Sequence, residues 1–86
     1  MQIAGVRLGA PIARLLSEIL ENEGYPETGG KIADAIERRI TVEAPLTLHD
    51  YEAISKALSR NCPAPLYRLR TELSEQLRRL RRVTGG

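Results

Sequence analysis

The sequence predicts a mainly α fold: a compact bundle of about four helices with a small two-stranded β-ribbon pairing residues 2–8 with residues 40–44. Three observations predict it. Apolar residues recur at helical spacing in four separate stretches. Proline, glycine and one capping threonine stand where those stretches begin and end. Extended character is confined to two short segments.

Residues 2–8, "QIAGVRL", are short and interrupted by Gly5, which reads as an arm or a weak edge strand. The first helix starts at Pro11, a favoured first helical residue. Ile12, Leu15, Leu16, Ile19 and Leu20 fall on one amphipathic face, with Glu18, Glu21 and Glu23 off it. Gly24 occupies the position just past the helix end where glycine is preferred.

The run "YPETGGKIADAIERRI" predicts the second helix, starting near Pro26 or Thr28. Its inner face is read as Ile32, Ala33 and Ile36. Gly29 and Gly30 each cost about 1 kcal/mol against alanine in a helix, and they also permit another backbone to come close. "ITVEAP" alternates β-branched residues and reads as an extended segment, which Pro45 then ends.

The third helix has the clearest start. Thr47 suits the N-cap and Asp50 follows three residues later, an acidic version of the capping box. Leu46 and Tyr51 are spaced for a hydrophobic staple. Leu48, Tyr51, Ile54 and Leu58 form the expected inner face, and Asn61, Pro63 and Pro65 close the helix in a stiff loop.

The fourth helix is expected over residues 65–82, with residues 83–86 as a flexible tail of a single domain, 1–86. Leu66, Leu69, Leu73, Leu77 and Leu80 fall within about 80° of the helical wheel. That stripe is narrower than an ordinary core face and its spacing resembles a coiled-coil seam, which predicts a covering partner or a second copy. It spans only about two heptads, too few for a free-standing coiled coil.

Composition narrows function. A chain of 86 residues is one domain. It buries only about 60–65% of its unfolded surface, and it has no Phe or Trp to enlarge the core. Cys62 is the only cysteine, so no intramolecular disulfide forms and the oxidising-compartment signature is missing. The N-terminal "MQIAGVRLGAP" lacks the apolar core of a signal peptide, and no apolar run is long enough to span a membrane. The expected compartment is the cytoplasm. There are no internal repeats and no low-complexity stretch.

No motif carries catalysis. His49 is the only histidine, and no spacing joins it to Cys62 or to a serine. It reads as a solvent-facing residue on the first turn of the third helix. Cys62 reads as a loop or core-edge thiol, with Arg60 the only positive neighbour in sequence. One His and one Cys fall short of a zinc set. "ETGGK" lacks the spacing of a phosphate loop. No enzyme, metal or cofactor is expected. The ending "RRVTGG" resembles the diglycine tail of ubiquitin-like modifiers in two residues only. Those modifiers have a strand-rich fold, so Gly85 and Gly86 read as a chain end.

Charge is the main functional clue. From residue 65 onward six Arg stand against two Glu, giving +4, while the rest carries seven Lys/Arg against nine Asp/Glu, giving −2. The candidate partner-binding residues are therefore Arg68, Arg70, Leu73, Leu77, Arg78, Arg79, Leu80, Arg81 and Arg82. The arginines do not form one stripe. Arg70 and Arg81 flank the leucines, and the others spread over the outer half. Arg68 is spaced to pair with Glu72, and Glu75 with Arg79. No aromatic is read among them, which weighs against base stacking. Three uses compete: a solvated face complementing the helix dipole, a protein-docking or dimer surface, and nucleic-acid binding.

One resemblance bears on the order of elements. "ENEGYPETGGKIADAIERRITVEAPLTLHDYEAISKAL", followed by "PAPLYRLRTEL", resembles small uncharacterised helical proteins of actinobacteria and their phages. Those share an E-G-[YF]-P-E-T-A helix start, a short Val-rich segment, a D-R-E-A-I-L helix and a Pro-containing loop into an L-x-x-L-R helix. The match covers about residues 15–73 and departs from the pattern at Gly29, Gly30 and Tyr51. It implies an actinobacterial or phage source and no activity. The sequence thus predicts a non-enzymatic protein-interaction or regulatory module acting through its Leu/Arg C-terminal helix. The alternative is a small nucleic-acid-binding regulator using the same helix.

Overall fold

A computed structural model describes residues 1–83, the side chains of Arg81 and Val83 excepted. Four α-helices and a two-stranded antiparallel ribbon make up the described chain. The ribbon is a tight hairpin, β1 (Gln2–Ile3) with β2 (Val6–Arg7), turning at Ala4 and Gly5, whose φ angles of 52° and 78° are both left-handed. Two successive positive φ values match the natural twist of a two-residue hairpin. The expected pairing of residues 2–8 with 40–44 therefore holds only at Gln2, and the two strands of the ribbon are corrected to β1 and β2. The ribbon closes on itself, and the 40–44 segment adds only one parallel bridge, Gln2 to Glu43. The Ala44 N–H donates to Gln2 O at 2.8 Å. Glu43 ties this edge down, accepting from the Gly5 N–H at 3.3 Å and from the Tyr51 hydroxyl at 3.3 Å.

Helix α1 spans Ala10–Asn22 with Pro11 in its first turn. Its end is a Schellman motif: Gly24 sits at φ 94°, the Gly24 N–H reaches Glu21 O, and the Tyr25 N–H reaches Leu20 O at 2.7 Å. Leu16, Ile19 and Leu20 are buried as the spacing requires, while Ile12 and Leu15 are half-buried.

Helix α2 spans Pro26–Glu37 and packs chiefly against α1. Gly29 explains the closeness. A Cβ there would lie 3.0 Å from Ser17 O and 3.2 Å from Glu21 Cγ, and the Ser17 hydroxyl donates to Gly29 O at 2.8 Å. The buried stripe is therefore Thr28, Gly29, Ile32 and Ala35. Ala33, expected inside, is exposed, because the glycine contact turns the helix so that Ala35 faces in.

Helix α3 spans Leu48–Arg60 behind a complete capping box: the Asp50 N–H donates to Thr47 Oγ1 at 3.3 Å and the Thr47 N–H to Asp50 Oδ2 at 2.9 Å. Leu46 and Tyr51 pack half-buried on the core beside it. Leu48, expected inside, is 45% exposed. Asp50 takes the inward position instead, and Ala53, Ile54, Ala57 and Leu58 continue that face.

A single 3₁₀ turn, Ala64–Leu66, leads into α4, Tyr67–Val83, which packs on α3 and touches β2. Val83, expected in the tail, is still helical, and the rest of the expected tail, residues 84–86 with Gly85 and Gly86, lies outside the described residues. Leu66, Leu69 and Leu73 are fully buried and Leu77 is 5% exposed. The expectation of a seam awaiting an outside cover is corrected. The chain's own core covers it, and α4 is an amphipathic core helix with a narrow apolar stripe.

Candidate interaction surface

Burying the leucines turns the arginines outward. Arg68, Arg70, Arg78, Arg79 and Arg82 are all exposed; the side chain of Arg81 lies outside the described residues. Leu73 and Leu77, expected to meet a partner, belong to the core, and Leu80 is half-buried at its edge.

The outer face of α4 divides into two flanks. Glu72, Glu75, Gln76 and Arg79 line a shallow polar groove against Ala4 and Gly5 of the ribbon turn. There Glu75 pairs with Arg79 at 4.0 Å. Among the described residues Arg68 and Glu72 form no ion pair. The other flank carries no carboxylate. Tyr67, Arg70, Ser74 and Arg78 follow one another at helical spacing within about 80° of the wheel. The Arg70 guanidinium lies over the Tyr67 ring, 5.5 Å from its centroid, and Tyr67 is 53% exposed. The aromatic that sequence reasoning did not count stands beside Arg68 in "PLYRLR". Counting three residues forward from Tyr67 finds Arg70 on the same face.

Arg70, which flanks the leucines as expected, stacks on Tyr67 and pairs with no carboxylate among the described residues. Glu18 and Glu21 stay exposed on α1 and pair with no α4 arginine among the described residues. Arg68, Arg70, Arg78 and Arg82 therefore keep their charges uncompensated by any described carboxylate.

The nucleophile and ligand candidates do not converge. His49 is exposed beside Tyr25, Glu52 and Lys56. Cys62 is half-buried, and burial pushes its thiol pKa up against the opposing charge of Arg70. That shift lowers the thiolate fraction and with it the reactivity. Among the described residues no group of three or more His, Cys, Asp and Glu is placed to hold a metal ion.

A second polar cluster extends the expected Thr47–Asp50 capping box to Thr28 and Lys31, which its spacing did not reveal, and so joins α2 to α3. Asp50 is 3% exposed and accepts from Lys31 Nζ at 2.7 Å, the Thr28 hydroxyl at 2.8 Å and the Thr47 hydroxyl at 3.0 Å. Burial alone would raise its pKa. The hydrogen bonds from Lys31, the Thr47 amide and the two threonine hydroxyls outweigh burial and hold the carboxyl well below the usual carboxylate range. Every oxygen in the cluster is satisfied, which suits a structural clip.

Among known proteins, no family model, curated relative or solved structure matches this chain.

Proposed function

We propose that the chain is a non-enzymatic protein-interaction or regulatory module that docks an acidic protein partner on the Tyr67–Arg78 flank of α4. The observation that carries this reading is the exposed Tyr67–Arg70 stack on a flank without carboxylates. Tyr and Arg dominate the energetics of protein interfaces, because each offers a large rigid surface with a polar end. Held over the ring, the Arg70 guanidinium loses less freedom on meeting a carboxylate. The acidic body and the formal net charge of only +2 favour a protein over a polyphosphate, which wants many cations on one surface.

One observation favours the second reading, a small nucleic-acid-binding regulator. Tyr67 is an exposed aromatic among arginines, the combination on which bases stack. Either way the proposed place of work is the cytoplasm, with an actinobacterial or phage source. No helix among the described residues is long and apolar enough to cross a membrane.

A photo-cross-linking phenylalanine analogue at Tyr67 tests the reading in cells expressing the chain, with the same analogue at exposed Glu27 as control. Protein adducts specific to position 67 support docking. Adducts to RNA or DNA promote the second reading. No adduct specific to position 67 reduces the flank to a solvated surface.

A further inference from the structure

The C-terminus of α2 repeats the motif that ends α1, with one change. The Arg39 N–H reaches Ile36 O at 3.1 Å and the Ile40 N–H reaches Ala35 O at 3.1 Å, the two bonds of a Schellman motif. At the equivalent position α1 has Gly24, whereas α2 has Arg39, at φ 55°. That left-handed conformation costs an arginine what it does not cost a glycine. Strain of this kind persists only where the surrounding structure enforces it, and it gathers at binding sites and turns.

Arg39 lines an apolar cleft of about 210 Å³ between the start of α1, the end of α2 and the ribbon. Leu8, Ala13 and Ala35 contribute its buried part, and Ile36 and Ile40 its half-buried part. Alanines at 13 and 35 leave space that larger side chains would fill. Arg39 and Thr41 are the exposed polar residues beside it. The neighbouring Arg38 is engaged with Asp34 at 3.1 Å, but among the described residues no carboxylate pairs with Arg39. An apolar recess with one uncompensated guanidinium at its edge matches a ligand with an apolar body and an anionic head. A dry cavity of ~150 Å³ holds benzene, so this half-open cleft suits an alkyl chain of about six to eight carbons.

We propose that this cleft is a binding site for a small carboxylate with an apolar tail of that length, its head on Arg39 and its tail against Leu8, Ala13, Ala35 and Ile36. It is independent of the α4 surface and of the function proposed for it.

Octanoate is the probe, titrated into the isotope-labelled full chain and followed by amide chemical shifts. The expected result is saturable shifts at Leu8, Ala13, Ala35, Ile36 and Ile40, with a dissociation constant of about 1 mM or below. Octanol, with the same tail and no charge, should bind roughly tenfold more weakly. Arg39→Gly keeps the left-handed turn, so it should melt no lower than the parent while losing about tenfold in octanoate affinity. Ala35→Leu should fill the cleft and abolish the shifts. Shifts confined to α4 would overturn the site, as would no saturation or an Arg39→Gly variant that binds octanoate as the parent does. Should Ala35→Leu fail to fold, the octanol and Arg39→Gly comparisons still decide it.

Discussion

Lys31 on α2 and Asp50 on α3 meet at 2.7 Å, and the carboxylate they share with Thr28 and Thr47 is buried while the ammonium keeps 45% of its side-chain surface. The pair is therefore half in water. Its strength comes from the number of donors on Asp50 rather than from a dry salt bridge. Because the folded state lowers the Asp50 pKa, the ionised form stabilises the fold. That contribution is complete above the ordinary aspartate pKa near ~3.9 and is lost as pH falls toward the folded value. Chemical denaturation should show stability dropping by on the order of 2 kcal/mol from about pH 4 to pH 2. Asp50→Asn should lower stability at neutral pH and flatten that fall. An unchanged acid profile in the variant would remove Asp50 from the α2–α3 clip.

Thr47 serves this cluster twice, since its hydroxyl accepts from the Asp50 N–H and donates to the Asp50 carboxylate. Thr47→Ala should cost about 1–2 kcal/mol, the upper part of the range for an N-cap, measured by denaturant melts. A loss below a few tenths would mean that water replaces the hydroxyl without penalty.

The adjacent glycines of α2 should respond with opposite signs. At Gly30 a Cβ meets nothing within 4 Å, so Gly30→Ala should raise stability by up to about 1 kcal/mol through helix propensity alone. At Gly29 the same methyl would press on Ser17 O at 3.0 Å, and backbone yields poorly. Overpacking of this sort costs ~1–3 kcal/mol and should exceed the propensity gain. Thermal melts of the two variants check both signs together.

The helix boundaries were legible because their signals are local. Pro11, Gly24, Thr47 with Asp50, and the Pro63–Pro65 loop each act within one turn. Which face turned inward was legible only where large apolar residues decided it, as on α1 and α4. On α2 and α3 small or polar residues hold the inner positions. Gly29 is buried by backbone contact, and Asp50 by donors on another helix 19 and 22 residues away in sequence. Periodicity scores neither, so Ala33 and Leu48, which the spacing puts inside, are exposed. The candidate surface was half legible. The exposed arginines were identified, whereas the coverage of Leu73 and Leu77 depends on tertiary packing that no spacing records.

That coverage changes the expected assembly. With Leu66, Leu69, Leu73 and Leu77 in the core, the large exposed apolar side chains among the described residues are Val42 in the loop before α3, Leu48 on α3 and Tyr67 on α4. No contiguous apolar patch of dimer size arises from them. Analytical ultracentrifugation over a hundredfold concentration range should give a single 9.6 kDa species. A concentration-dependent dimer would restore a second copy as the partner of α4.

The α4 flank gives the last prediction. Arg70 and Arg78 stand about 12 Å apart along the helix axis, eight residues at 1.5 Å each. An acidic partner can engage both at once, with Tyr67 filling the space beside the first. Arg79 faces the other flank, with the Glu75 carboxylate 4.0 Å away. Arg70→Glu with Arg78→Glu should therefore lower the yield of partner cross-linked at position 67 by about tenfold or more. Arg79→Glu should leave it nearly unchanged, although it reverses the same charge on the same helix. Both variants should melt within about 0.5 kcal/mol of the parent, because the altered side chains are exposed. Equal losses from the two variants would point to a diffuse electrostatic attraction. In that case affinity for duplex DNA or RNA should also fall steeply with salt, its slope counting the phosphates contacted, and the nucleic-acid reading would take precedence. A loss confined to the Arg70/Arg78 flank, with a shallow salt dependence, fits a protein surface docked through a defined face.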